Sequence, residues 1–161
     1  MASKKNVLVI GDTHEPFCHP LYRNFCLEVA NKFQCAEVVH IGDEVDNHAI
    51  SYHESKPDGH GAGREADLAQ AAMYKWYKAF PNVKVCIGNH SALHKRKAQT
   101  SGLPERFIKS YEQAWDAPKG WKWALEWEID GVLYTHGTGS SGQAGAINRA
   151  RDARQSTVIG H

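Results

Sequence analysis

A chain of 161 residues, 42% hydrophobic with 19 basic and 18 acidic residues, is sized for one domain with a real core and leaves little room for a second module. A formal net charge of +1 excludes global electrostatic attraction to nucleic acid or an anionic membrane as the basis of function and leaves only local patches. No apolar stretch approaches bilayer length and the N-terminus shows no signal-peptide core, so a soluble, cytoplasmic protein without membrane partners is expected.

Residues 6–12 form a continuous Val, Leu and Ile run ending at Gly11, the pattern of a buried parallel strand. Over 21–33, Leu21, Phe25, Val29 and Phe33 recur every four residues and predict a helix. Residues 36–43 repeat the strand pattern, so the chain opens with a strand-helix-strand unit of the kind that builds a parallel sheet. Residues 44–63 are polar and without period, with the turn signal Pro57-Asp58-Gly59, and read as a functional loop or simply a mobile one. Helical spacing returns over 64–80 through Leu68, Ala72, Trp76 and Phe80, and Pro81 stops it. A third strand covers 82–89. The basic cluster His94-Lys95-Arg96-Lys97 follows, readable as a solvated helix face or as a contact to phosphate.

Residues 104–115 predict a helix with proline in its first turn. Over 121–129, Trp121, Trp123, Leu125, Trp127 and Ile129 alternate with polar or small residues, which predicts one half-buried antiparallel strand. Asp130-Gly131 is a hairpin turn and 132–136 its return strand. A basic helix over 143–154 and a strand over 156–161 follow. Cys18, Cys26, Cys35 and Cys86 form no Cys-x-x-Cys pair and read as reduced thiols.

Five strand runs end alike, in Gly11-Asp12-Thr13-His14, Gly42-Asp43-Glu44-Val45-Asp46, Gly88-Asn89-His90, Thr135-His136-Gly137 and Gly160-His161. A Gly-Asp after a strand is also an ordinary turn. In open sheets, however, ligands gather at the carboxyl ends of strands, so the five ends can converge. Together they offer Asp12, His14, Asp43, Asn89, His136 and His161. Carboxylate, imidazole and amide oxygen suit manganese, iron or zinc, and a carboxylate shared by two ions suits a dinuclear centre. Two ions about 3.5–4 Å apart can clamp a phosphate and lower the pKa of the water between them.

In this order, and over essentially the whole chain, the motifs resemble those of the calcineurin-like metallophosphoesterases, in particular the small microbial and phage-type members. The resemblance implies an α/β fold with a central β-sandwich of mixed sheets flanked by helices. It implies two divalent ions, manganese first, with iron, zinc or nickel as alternatives. Asp12, His14 and Asp43 would hold one ion; Asp43 as bridge, Asn89, His136 and His161 would hold the other. His90, oriented by Asp46, would protonate the leaving group or stabilise charge, and Asn89, His90, Lys95 and Arg96 would contact substrate.

The family's closing Gly-His-x-His is represented by Gly160-His161 alone. The last ligand of the first ion and the C-terminal strands completing the second sheet are therefore expected to be missing. Asp46 is followed by Asn47-His48 and His90 by Ser91, so the phosphate-gripping arginine of the family's protein phosphatases is absent. Phosphodiesters, of nucleotides or nucleic acid, are the expected substrates. The alternatives are a phosphomonoesterase acting on a small metabolite, and a metal-poor scaffold serving as an interaction module. An exposed sheet edge would then support self-association.

Overall fold

Three strand-crossover-strand units in succession build the first sheet. The computed structural model describes residues 5–54, 57–140 and 142–161. The elements in order are β1 (Val7–Ile10), α1 (Tyr22–Lys32), β2 (Glu37–His40), α2 (Ala62–Ala79), β3 (Val83–Cys86), α3 (Leu93–Thr100), α4 (Tyr111–Ala114) and β4 (Trp121–Ala124). There follow β5 (Glu126–Ile129), β6 (Val132–Thr135), α5 (Gly145–Ala153) and β7 (Ser156–Ile159), and short 3-10 turns occupy His48–Ile50 and Glu105–Phe107.

β1 to β4 pair in parallel and in sequence order, with Val9 opposite Val39, Val39 opposite Lys84 and Val85 opposite Trp123. Crossovers of one hand between sequential neighbours put the connecting helices on one face. On that face α1 and α2 pack Cys26, Ala69, Met73, Trp76 and Phe80 onto Leu8, Ile10, Val85 and Trp121. Burying a large apolar side chain contributes about 1.5–3 kcal/mol, and Trp76 and Trp121 are buried completely or nearly so.

The opposite face of this sheet is left for a second one. Val7, Val9, Val39, Ile41 and Cys86 pack there against Trp127, Val132, Tyr134 and Val158 of the sheet β5-β6-β7. β5 and β6 are antiparallel, β6 and β7 parallel, and α5 packs beside β7. Two facing sheets with helices outside agree with the α/β class and the flanked two-sheet core expected above.

Two expectations are corrected. Residues 121–129 are not one antiparallel strand: β4 closes the first sheet in parallel with β3, and β5 opens the second. The chain changes sheets at Leu125, which is 70% exposed. Trp121 and Trp123 pack on the helix side and Trp127 between the sheets, so an unbroken alternation hides two environments. Residues 104–115 are not one helix: after the turn at Glu105–Phe107, Ser110 starts α4 afresh. Its Oγ accepts the Gln113 N–H at 3.2 Å while Gln113 Oε1 accepts the Ser110 N–H at 3.1 Å, a reciprocal cap.

The basic cluster lies on α3, in agreement with its reading as a helix face. Leu93 is that helix's single buried residue, so it has no apolar stripe to read. The last helix and strand are each shorter than predicted, ending at Ala153 and Ile159. Among the described residues no helix is long and apolar enough to cross a membrane. All four cysteines are free, with Cys26 and Cys86 buried.

Candidate metal centre

Close approach of the strand ends depends on glycine. Gly42, just past β2, has φ +111°, and a Cβ there would lie 2.5 Å from His136 Nδ1. A Cβ on Gly88, just past β3, would run into the Asp43 carboxylate. Only a residue without a side chain lets the loops close this far. His14 and Asp43 take left-handed backbone angles, φ 46° and 49°, which costs a non-glycine residue about 1–3 kcal/mol. The His14 N–H donates to the Asp43 carbonyl at 2.9 Å, locking the two bends together.

Asp43, 2% exposed, stands at the middle. Its Oδ1 accepts main-chain N–H groups of His90 at 2.8 Å and Ser91 at 3.3 Å. Its Oδ2 lies 3.1 Å from His136 Nε2 and 4.0 Å from His14 Nε2. Asn89 Oδ1 and His161 Nδ1 approach the same His136 nitrogen at 2.9 and 3.1 Å. The His161 N–H donates to Asp12 Oδ2 at 3.0 Å, while Asp12 Oδ1, 3.8 Å from His136 Nδ1, is buried with no hydrogen-bond partner among the described residues.

The outer nitrogen of each buried-side imidazole is spoken for. His136 Nδ1 lies 3.0 Å from the Ile41 carbonyl and His14 Nδ1 2.7 Å from Asp46 Oδ1. Each donates outward, which leaves Nε2 as a lone pair aimed into the cluster. Lone pairs of nitrogen and oxygen so gathered repel unless a cation or a proton sits among them. Besides His14-Asp46-His90, the described residues give two sets of ligand atoms, Asp12-His14-Asp43 and Asp43-His136-His161, each lying within 4.8 Å, with Asn89 beside the second. They share Asp43. Borderline or hard divalent ions fit this donor set, and the orphaned Asp12 oxygen is the kind of atom such an ion would satisfy.

The electrostatics follow the geometry. Burial raises the pKa of Asp12, an effect His136 only partly offsets. Burial also works against the charged form of Asp43, but His136 and the His90 N–H outweigh it and hold the pKa below the ordinary range. For His136 burial is again the largest effect, overcome by Asp43 and Asp12, so its pKa is raised. Asp46 lies between His14 and His90 and is held low by both, against burial. The His90 ring is gripped first by the Asp46 main-chain carbonyl, 2.5 Å from Nδ1, and then by its carboxylate at 3.3 Å. That hydrogen bond raises the His90 pKa to about 9. Asp46 thus orients two imidazoles, where the sequence suggested one.

A buried network carries the loops. Glu44, adjacent to Asp43 and fully buried, accepts Ser91 Oγ–H at 2.5 Å and Trp123 Nε1–H at 3.1 Å. Ser91 Oγ accepts in turn from the Asp43 and Gly88 N–H groups at 3.1 and 3.3 Å. Thr13 joins β1 to β2 by donating to the Glu44 carbonyl and meeting His40 Nε2. Burial pushes the His40 pKa down to about 3 and keeps it neutral. Sequence reasoning missed Glu44 and Ser91, although both flank named ligands.

Arg96 lines a groove of about 430 Å³ that opens beside Asn89 and His136 and includes Thr138, Ser140 and Arg149. Lys95 does not line it: its Nζ lies 4.7 Å from the Tyr111 ring and 4.0 Å from Glu105. Arg149, on α5 and paired with Glu126, was also missed. Its one signal is the basic character of the helix. A scan of the chain against protein-family models gives no match, and neither does a search of curated proteins. Function therefore rests on the site.

Proposed function

We propose that the chain is a calcineurin-like metallophosphoesterase, a hydrolase that cleaves phosphodiesters of the nucleotide or nucleic-acid class with two divalent ions, manganese by preference, in the cytoplasm. The observation that carries this reading is the pair of overlapping ligand sets that share the buried Asp43. Two ions bound there would activate water at neutral pH and neutralise charge on the phosphate. Two facing sheets flanked by helices, with the candidate ligands on the loops after the strands, support the reading.

The chain's own groups supply the rest. His90, protonated at neutral pH with Nδ1 held by Asp46, keeps Nε2 free to give a proton to the leaving oxygen. Asn89 offers its amide between the ligands and the groove, where Arg96 and Arg149 can meet the anionic remainder of a diester.

The test is manganese-dependent hydrolysis of a chromogenic phosphodiester, with the matching monoester in parallel and Asp43→Asn as control. Diester turnover is expected to exceed monoester turnover. The control should lose more than the ~10–100-fold that removal of an outer partner costs a metal site. Folded protein without turnover in any divalent ion would sink the reading and favour a metal-poor interaction module.

A further inference from the structure

Three buried polar atoms without a partner among the described residues belong to residues lining one cavity: Glu65 Oε1, His94 Nε2 and Trp115 Nε1. The cavity, about 290 Å³, lies between the turn at His48–Ile50, the start of α2 and the end of α4. It takes none of the proposed metal ligands as lining. Asn47 on its wall donates to the His90 carbonyl at 3.1 Å and so ties it to the loop bearing that histidine. Glu65 and Trp115 are 4% and 6% exposed, so bulk solvent does not serve them. Buried polar groups in native proteins are met by something.

The atoms specify a complement. Glu65 Oε2 accepts the Ala49 N–H at 3.0 Å, which leaves Oε1 as a free acceptor. His94 Nδ1 lies 3.1 Å from the Ser91 carbonyl and must donate to it, and burial favours the neutral ring, so Nε2 is a second acceptor even with the Lys109 main chain close by. Trp115 Nε1–H is a donor only. Between them Ala49, Ile50, Ala62, Ala66 and Ala114 make apolar walls, with Asn47 and Lys109 as the other polar lining residues. Waters would satisfy the polar atoms but leave those walls wet. A flat, fragment-sized heterocycle with two N–H donors and one acceptor on its edge meets both requirements.

We propose that this cavity is a nucleobase pocket, selective for bases with an exocyclic amine beside a ring acceptor. Uracil, with one N–H donor, leaves an acceptor of the pocket unmet. The pocket does not depend on the phosphoesterase reading, because it needs no ion.

The test uses ¹⁵N-labelled, metal-free protein. Trp115→Phe identifies the Trp115 indole cross-peak by its loss, and adenosine, guanosine, cytidine and uridine are titrated into the unsubstituted protein. The amine-bearing nucleosides are expected to shift that cross-peak saturably, and uridine to need roughly tenfold more. Glu65→Gln keeps an acceptor for the Ala49 N–H and turns a donor into the cavity, so the ranking should reverse while the rest of the spectrum stays in place. A cross-peak unmoved by millimolar nucleoside, or an unchanged ranking in Glu65→Gln, would overturn the proposal. Where nucleosides bind, a higher KM of Glu65→Gln for nitrophenyl diesters of the amine-bearing nucleosides, but not for bis-nitrophenyl phosphate, assigns the pocket to the substrate's own base. An equal KM assigns it to a free ligand.

Discussion

In the proposed reaction His90 would give a proton to the departing alkoxide, whose charge a metal ion can stabilise but not protonate. Loss of that donor matters in proportion to the basicity of the leaving group. His90→Ala is therefore expected to slow an alkyl or nucleoside diester by ~10²–10⁴-fold and a nitrophenyl diester far less. Equal losses on both would assign His90 to positioning instead. The proton itself can be followed in the metal-free protein, where the Asp46 hydrogen bond raises the His90 pKa to about 9. The sign is set by charge: Asp46→Asn removes the anion that favours imidazolium, so the titration must move down. Its amide oxygen can still accept from His14 Nδ1, which lies 2.7 Å from the native carboxylate. An imidazole titration unmoved in Asp46→Asn would mean that the main-chain carbonyl alone sets the pKa.

At the scale of elements, the site is a property of strand ends and of the glycines that let them meet. Gly88→Ala puts a methyl group against the Asp43 carboxylate from the next strand over. A misplacement of ~1 Å at a reacting centre can cost ~10²-fold, and that is the loss expected in hydrolysis, with a near-native far-ultraviolet spectrum. Retained activity would show that the β3 loop can give way. Such strand ends were readable in the sequence because the signal is local: an apolar run, a glycine, a ligand. What joined them was not. Glu44 looked like one more loop acid, since nothing local says that Ser91 and Trp123 wait for it in the interior. The alternation through Leu125 reads as one strand because periodicity reports faces and not partners. α3 shows in the sequence only as a basic cluster because Leu93 is its one buried residue. Asp46 was legible as an orienting carboxylate, but its bond to His14 depends on two loops whose spacing only the fold defines.

For the whole molecule, the ligands come from both sheets. Asp12, His14, Asp43 and Asn89 follow strands of the first, and His136 and His161 follow strands of the second. Ions held between them would tie the sheets together beyond what the apolar contact around Tyr134 provides. Binding to the folded state alone stabilises it by mass action, about 2.7 kcal/mol at a free ion concentration a hundred times Kd. In a domain of this size each kcal/mol raises Tm by about 2–4 °C. Manganese is therefore expected to raise Tm by roughly 5–11 °C over chelator-treated protein. His161→Ala separates the ion from the scaffold. His161 is exposed and lies beyond β7, and the bond from its main-chain N–H to Asp12 survives the substitution. The metal-free Tm should stay where it was while the manganese shift shrinks. Were the shift to keep its full size in that variant, His161 would not be a ligand; were there no shift in the unsubstituted protein, the two sheets would be holding an acidic cluster together without an ion.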